Sequence, residues 1–191
     1  MPKHDGVPLA GQAWAILLLH MDKPKLPEPW LRGTLTDVEP VQRAVLHALE
    51  LAKENLEHWC ADLTPEELNA RPGGVASVGF HLRHIPGSMD RLLTYAEGKS
   101  LTNEQVAAMK AEGEPAGGAS AMLSGLREGI ESASGRIRAF TTSSLSEPRT
   151  VGRQQMPTTV AGLLVHVADH TQRHAGQAVT TAKIIRSNRQ V

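Results

Sequence analysis

Val160-Ala161-Gly162-Leu163-Leu164-Val165-His166-Val167-Ala168-Asp169-His170-Thr171-Gln172-Arg173-His174-Ala175-Gly176-Gln177-Ala178-Val179-Thr180-Thr181-Ala182-Lys183-Ile184-Ile185 contains no proline. Its apolar positions Val160, Leu163, Leu164, Val167, Ala178, Ala182 and Ile185, with Thr171 in register, recur at three- and four-residue steps. That period puts them on one side of a helix, so the segment from Thr158 or Thr159 to about Ile185 is expected to be a long helix with one buried face.

Three more stretches upstream show the same period. From Val41 to about Asp62 the stripe is Val41, Ala44, Val45, Ala48, Leu49, Ala52, Leu56 and Trp59. From about Ser77 to Ala96 it is Val78, Leu82, Ile85, Met89, Leu92, Leu93 and Ala96, with Gly98 just beyond. From about Ser120 to Phe140 it is Met122, Leu123, Leu126, Ile130, Ala133, Ile137 and Phe140. Between them, Thr64-Pro65-Glu66-Glu67 reads as a cap, a proline and acids, predicting a short helical turn before Pro72-Gly73-Gly74 breaks the chain. Asn103 to Met109 reads as another short helical piece, followed by a Gly-, Pro- and Ala-rich link from Gly113 to Gly118, and Thr141 to Pro157 as a loop with some extended backbone. Four helices of about twenty residues separated by breakers predict an all-α fold, a four-helix bundle.

Composition agrees. Aromatic residues make up 3% of the 191-residue chain, so the core is built from Leu, Ala, Val and Ile, a choice that favours helices over sheet. The length suits one domain. Pro2, Pro8, Pro24, Pro27, Pro29 and Pro40 forbid one continuous helix at the start, so residues 1–36 are expected to form an irregular arm and 37–191 the bundle. Trp14, Ile16, Leu17, Leu18, Trp30 and Leu31 make that arm too apolar for a free tail, and it is expected to pack on the body or a partner subunit.

Twenty basic and twenty acidic residues, scattered along the chain, give no basic stripe that would point to nucleic acid. The longest apolar run, Ala13 to Leu19, falls far short of the roughly 20 residues a membrane span needs, and it makes a poor signal peptide, so a cytoplasmic location is the expectation. Cys60 is the only cysteine, which excludes an intramolecular disulfide and a thiolate zinc cluster. It reads as a small hydrophobe near a helix end.

Of nine histidines, five lie in His81-Leu82-Arg83-His84 and in the segment His166 to His174. Histidines four apart project from the same side of a helix on successive turns, so two imidazoles can grip one metal ion. A third ligand from a facing helix would leave coordination positions open, as a catalytic site requires. On a helical wheel with Val160 at zero the last stripe centres near 340°, His174 at about 320°, His170 at about 280° and His166 at about 240°. His174 and His170 therefore border the core while His166 turns away. On the second long helix His81 lies about 60° and His84 about 120° from the stripe, so periodicity prefers His81 without deciding.

The sequence resembles the DinB-like, or YfiT-like, metal-binding family. The resemblance rests on Ser77-Val78-Gly79-Phe80-His81-Leu82-Arg83-His84-Ile85, with an aromatic residue four before a histidine, and on His166 to Gln177, similar to the family's last-helix pattern H-x3-H-x-G-Q. It spans about Val41 to Ile185. The resemblance implies His84, His170 and His174 as metal ligands, with the ion at one edge of the bundle. His81 then lies behind the ligands or in a pocket wall, and Ser88, Arg91 and Tyr95 are expected to line a pocket beside the ion. The proline-rich arm has no counterpart in the family pattern.

The resemblance further implies a divalent ion (Zn, Ni or Fe), a small-molecule substrate, a homodimer, and a metal-dependent transferase that activates a low-molecular-weight thiol. Arg91 and Arg173 are candidates to hold a carboxylate of that thiol. Two other readings stand beside it. One is a metal-dependent hydrolase; it needs a nearby general base, and the sequence assigns that work to neither of its candidates, His81 and Asp90. The other is a non-catalytic bundle that binds metal or a small molecule, or serves as a dimerisation module.

Overall fold

A computed structural model describes residues 26–190. Its long helices are α1 (Pro40–Cys60), α3 (Val78–Ala96), α5 (Ala119–Arg138) and α6 (Val160–Ser187), with short helices α2 (Pro65–Asn69) and α4 (Asn103–Lys110) between them. Local chemistry sets where they start. Ser77 caps α3 by accepting from Phe80 N at 3.2 Å, and Thr159 caps α6 by accepting from Gly162 N. Thr64 with Glu67 and Thr102 with Gln105 form reciprocal capping boxes at α2 and α4. The break before α3 is a 3-10 turn, Pro72–Gly74, in which Gly73 and Gly74 take φ of 62° and 81°, the left-handed region that a Cβ disfavours.

α6 packs against α1 and α3, and α5 packs against α3 and α1, so each long helix has two neighbours and the four close a ring around one core. Leu49 and Leu56 of α1, Leu82, Ile85, Met89 and Leu93 of α3, Leu126 and Ile137 of α5 and Leu164 of α6 are buried there. Full burial of such a side chain is worth about 1.5–3 kcal/mol, and these stripes are what hold the helices together. Where α3 crosses α5 the contact is unusually close: a Cβ on Gly129 would lie 2.4 Å from Pro86 Cβ, so glycine lets α5 approach the proline ring inside α3. Cys60 is fully buried at the end of α1 and its thiol is pushed up to about 12 by burial, so it serves packing.

Two features differ in detail from the sequence expectations. Residues expected as a loop with some extended backbone contain an antiparallel hairpin, β1 (Pro148–Val151) paired with β2 (Met156–Thr159), turning through Gly152 and Gln155 with positive φ. The four-residue strands Pro148–Val151 and Met156–Thr159 bury no residue fully and do not alternate apolar with polar residues, so the sequence lacks the period of two that reveals a strand. Arg149 ties the hairpin to the end of α3 by donating from Nε to Ala96 O at 2.7 Å.

The second concerns the arm. Trp14, Ile16, Leu17 and Leu18 lie outside the described residues. In the described part, Pro29 is buried and Arg32 grips α1, donating to both carboxylate oxygens of Glu54 at 2.6 and 2.8 Å and to Glu50 at 3.1 Å. Trp30 and Leu31 stay exposed at 61% and 57%, so among the described residues the arm is held by Pro29, Arg32, Thr34 and Leu35, and Trp30 is no anchor on its own bundle. Among the described residues no helix is long and apolar enough to cross a membrane.

Candidate metal centre

α3 and α6 lie side by side, and their facing edges bring His84, His170 and His174 together. One ligand atom from each lies within 4.8 Å of the other two. The ring centroids are 4.3 Å apart for His84 and His174, 4.5 Å for His170 and His174, and 5.1 Å for His84 and His170, with the planes tilted 45–59° to one another. Helix geometry accounts for half of this, since residues four apart on α6 stack on successive turns. The packing of α3 on α6 supplies the rest.

The hydrogen bonding around the rings is uneven. His84 Nδ1 donates to Glu112 Oε2 at 2.6 Å, while His84 Nε2 is buried with no partner among the described residues. His170 Nδ1 is likewise buried and unpartnered. Buried polar atoms are nearly always satisfied, so two orphaned ring nitrogens in one cluster point to something these groups are built to bind. His81, 2% exposed, faces His174 with Nδ1 3.0 Å from Nδ1. Phe80 stacks on His84 with centroids 5.1 Å apart and planes 15° apart, covering one face of that ring.

Protonation favours free lone pairs. Burial first, then the neighbouring imidazoles of His174 and His84, pushes His170 down to about 4; His166 and Arg173 add to the effect. His81 is pushed down to about 4, again chiefly by burial and then by His174 and His84. His174 is lowered by burial, His84 and Arg173 against an opposing pull from Glu112. A set of neutral imidazoles on this scale is what a borderline divalent cation requires, and the buried, unpartnered nitrogens fit such an ion.

The other residues singled out in the sequence go elsewhere. His166 is half-exposed, 3.9 Å from Asp169, and outside the cluster, as its place on the wheel implies. Ser88 is buried and donates to Ile85 O at 2.9 Å, and Arg91 is buried in an ion pair with Glu112 at 2.6 Å, so these two side chains are engaged within the fold. Arg91 faces the α4–α5 link, which folds back over α3. Arg173 pairs with Asp169 on the outer side of α6, and Asp90 pairs with Arg136 at 2.6 Å and accepts from Gln105. Arg91, buried in its pair with Glu112, is not available to a thiol's carboxylate. A cavity of about 380 Å³ instead shares Phe80 with the cluster and is lined also by Asn69, Arg71, Ser77, Gly113 and Pro115.

Glu112 is the residue that sequence reading missed. It sits in the 3-10 turn Ala111–Gly113, 28 positions from the histidine it touches. Glu114 lies two residues away in the same polar link, and nothing in the sequence distinguishes the two.

An all-α bundle with three histidines converging from two of its helices defines a helical protein whose histidine triad could hold a metal ion. The chain belongs to the DinB superfamily, whose family profile matches residues 48–178. A solved structure of a conserved protein from Enterococcus faecalis is similar, with a TM-score of 0.64 over 77% of this chain and 98% of that one, at 18% sequence identity. At that identity the likeness concerns the fold. No curated protein matches the chain.

Proposed function

We propose that the protein binds one divalent metal ion through His84, His170 and His174 and uses it as a transferase that activates a low-molecular-weight thiol. The observation that carries the metal-binding step is the convergence of three imidazoles with His84 Nε2 and His170 Nδ1 buried and unpartnered. His84, His170 and His174 would hold a divalent ion, and the chemistry it would supply there is acidification of a thiol. The transferase step comes from the family resemblance.

The chain's own residues have separable roles in this reading. His170 and His174, held neutral by burial, offer lone pairs without first releasing a proton. His81 meets His174 at Nδ1; when His174 donates there, its Nε2 keeps the lone pair. Phe80 covers one face of His84 and keeps water from it. Hydrolysis would need a general base, and both sequence candidates are engaged, His81 with His174 and Asp90 with Arg136. That favours the thiol reading over the hydrolase.

The test is turnover after reconstitution with Zn²⁺, Ni²⁺ or Fe²⁺, using a panel of low-molecular-weight thiols and a chromogenic electrophile. The expected result is metal-dependent conjugation with at least one thiol that His170→Ala abolishes. Metal uptake without turnover across the panel would identify a binding module instead.

A further inference from the structure

The link between α4 and α5 returns across α3 and lays one carboxylate on the histidine cluster. Arg83 of α3 fastens it, donating to the carbonyls of Ala111 and Glu112 at 3.4 Å, Pro115 at 2.8 Å, and Glu114. Glu112 is thereby held with both oxygens committed: Oε2 accepts from His84 Nδ1 and Oε1 accepts from Arg91 Nη1, each at 2.6 Å. Glu112 is 6% exposed and Arg91 8%, so this is a buried pair. The backbone beneath it is cut to fit, since a Cβ on Gly87 would lie 2.7 Å from Glu112 Oε1 and 3.0 Å from Arg91 Nη1.

The charge balance gives this arrangement its meaning. A lone buried carboxylate would demand a cation from its neighbour, but Arg91 already supplies one. His84 therefore needs only one hydrogen, on Nδ1, to satisfy Glu112. Its Nε2, the orphaned atom, is left with a lone pair and no partner among the described residues.

We infer that Glu112, held by Arg91, is the positioning residue of the metal centre: it fixes His84 in the Nδ1–H tautomer and in the ring orientation that presents Nε2 to the ion. The inference rests on the metal-binding reading of the three histidines. Carboxylate partners of this kind orient ligand imidazoles and raise their basicity, and losing one typically costs 10–100-fold in metal affinity.

The experiment uses Glu112→Ala and the near-isosteric Glu112→Gln with two readouts: ¹⁵N shifts of the His84 imidazole without metal, and Zn²⁺ affinity by chelator competition. In the wild type His84 should be in the Nδ1–H form. Glu112→Ala should move it towards Nε2–H and weaken Zn²⁺ binding by about 10–100-fold. Glu112→Gln, whose amide oxygen can still accept from Nδ1, should keep the tautomer and lose less affinity. A merely structural glutamate would lower the melting temperature and leave tautomer and affinity alone, and that result overturns the proposal. Should the alanine variant not fold, a glutamine variant in which His84 has moved to the Nε2–H form yet binds Zn²⁺ as tightly as wild type also overturns it. A wild type that takes up no Zn²⁺ sinks the metal reading and this inference with it, whereas normal uptake with unaffected variants sinks only the role of Glu112.

Discussion

His81 and His174 meet with Nδ1 3.0 Å from Nδ1, so only one of the two facing nitrogens carries the hydrogen between them. His81 is thus a neighbour of the proposed ligand set and outside the group of three whose ligand atoms converge. This separates the histidines experimentally. His84→Ala, His170→Ala and His174→Ala should each abolish stoichiometric metal binding, a loss beyond the roughly 100-fold typical of outer partners. His81→Ala and His166→Ala should keep most of it. Normal binding by His84→Ala together with loss in His81→Ala would reverse the assignment on α3, and isothermal titration with Zn²⁺ reads all five.

Acid should destabilise the metal-free protein in a defined window. His81 and His170 are held down to about 4 in the fold, against about 6.5 for an unfolded histidine. Between those values the unfolded chain binds more protons, so stability rises with pH there. The contribution is fully present above about 6.5, shrinks as pH falls, and is gone below about 4. The thermal midpoint of the metal-free chain should be level from about pH 7 to 8 and decline steadily from about 6.5 downward; a level profile through that window would contradict buried neutral imidazoles. Metal affinity should fall on acidification as well, because protons compete for the same lone pairs.

Two glycines of α5 should respond to alanine with opposite signs. Gly129 has Pro86 Cβ 2.4 Å from where its own Cβ would be, and a proline ring cannot swing aside. Gly129→Ala should cost about 1–3 kcal/mol, the range for overpacking. Gly125 has nothing within 4 Å, so Gly125→Ala should stabilise by about 0.5–1 kcal/mol through helix propensity alone. Denaturant melts compare the two directly, and equal effects would mean that α5 and α3 are further apart than described.

Most of the fold was legible because period and punctuation agree. The four stripes, the cap at Thr64 and the breaker Pro72-Gly73-Gly74 each place an element end within a few residues of where it lies. The hairpin at 148–159 was not, because its two short strands do not alternate apolar with polar residues. Within the site, His170 and His174 could be paired from spacing on one helix, whereas the choice between His81 and His84 depends on how α3 rotates against α6. The wheel measures a residue's angle to the stripe and carries no information on where the neighbouring helix edge falls. Glu112 is harder still, since its role is created by a link folding back over a helix.

The arm offers a test of its own. Removing residues 1–36 deletes Arg32, which binds Glu54 and Glu50, and Thr34, which meets His47 Nε2 at 3.1 Å. The truncated chain should melt at a lower temperature. The exposed Trp30 and Leu31 suit a contact with a second copy, and we expect a two-fold homodimer whose association weakens on truncation. Sedimentation and melting identical to the full chain would show that the arm does neither.

Whether three histidines from two helices form one metal site is read most directly by elemental analysis of the natively purified protein, beside a His84→Ala/His170→Ala/His174→Ala variant prepared in parallel. About one divalent ion per chain is expected in the wild type and background metal in the variant, with both folded by circular dichroism. Equal metal content in the two proteins, or none in the wild type even after reconstitution, would refute the site.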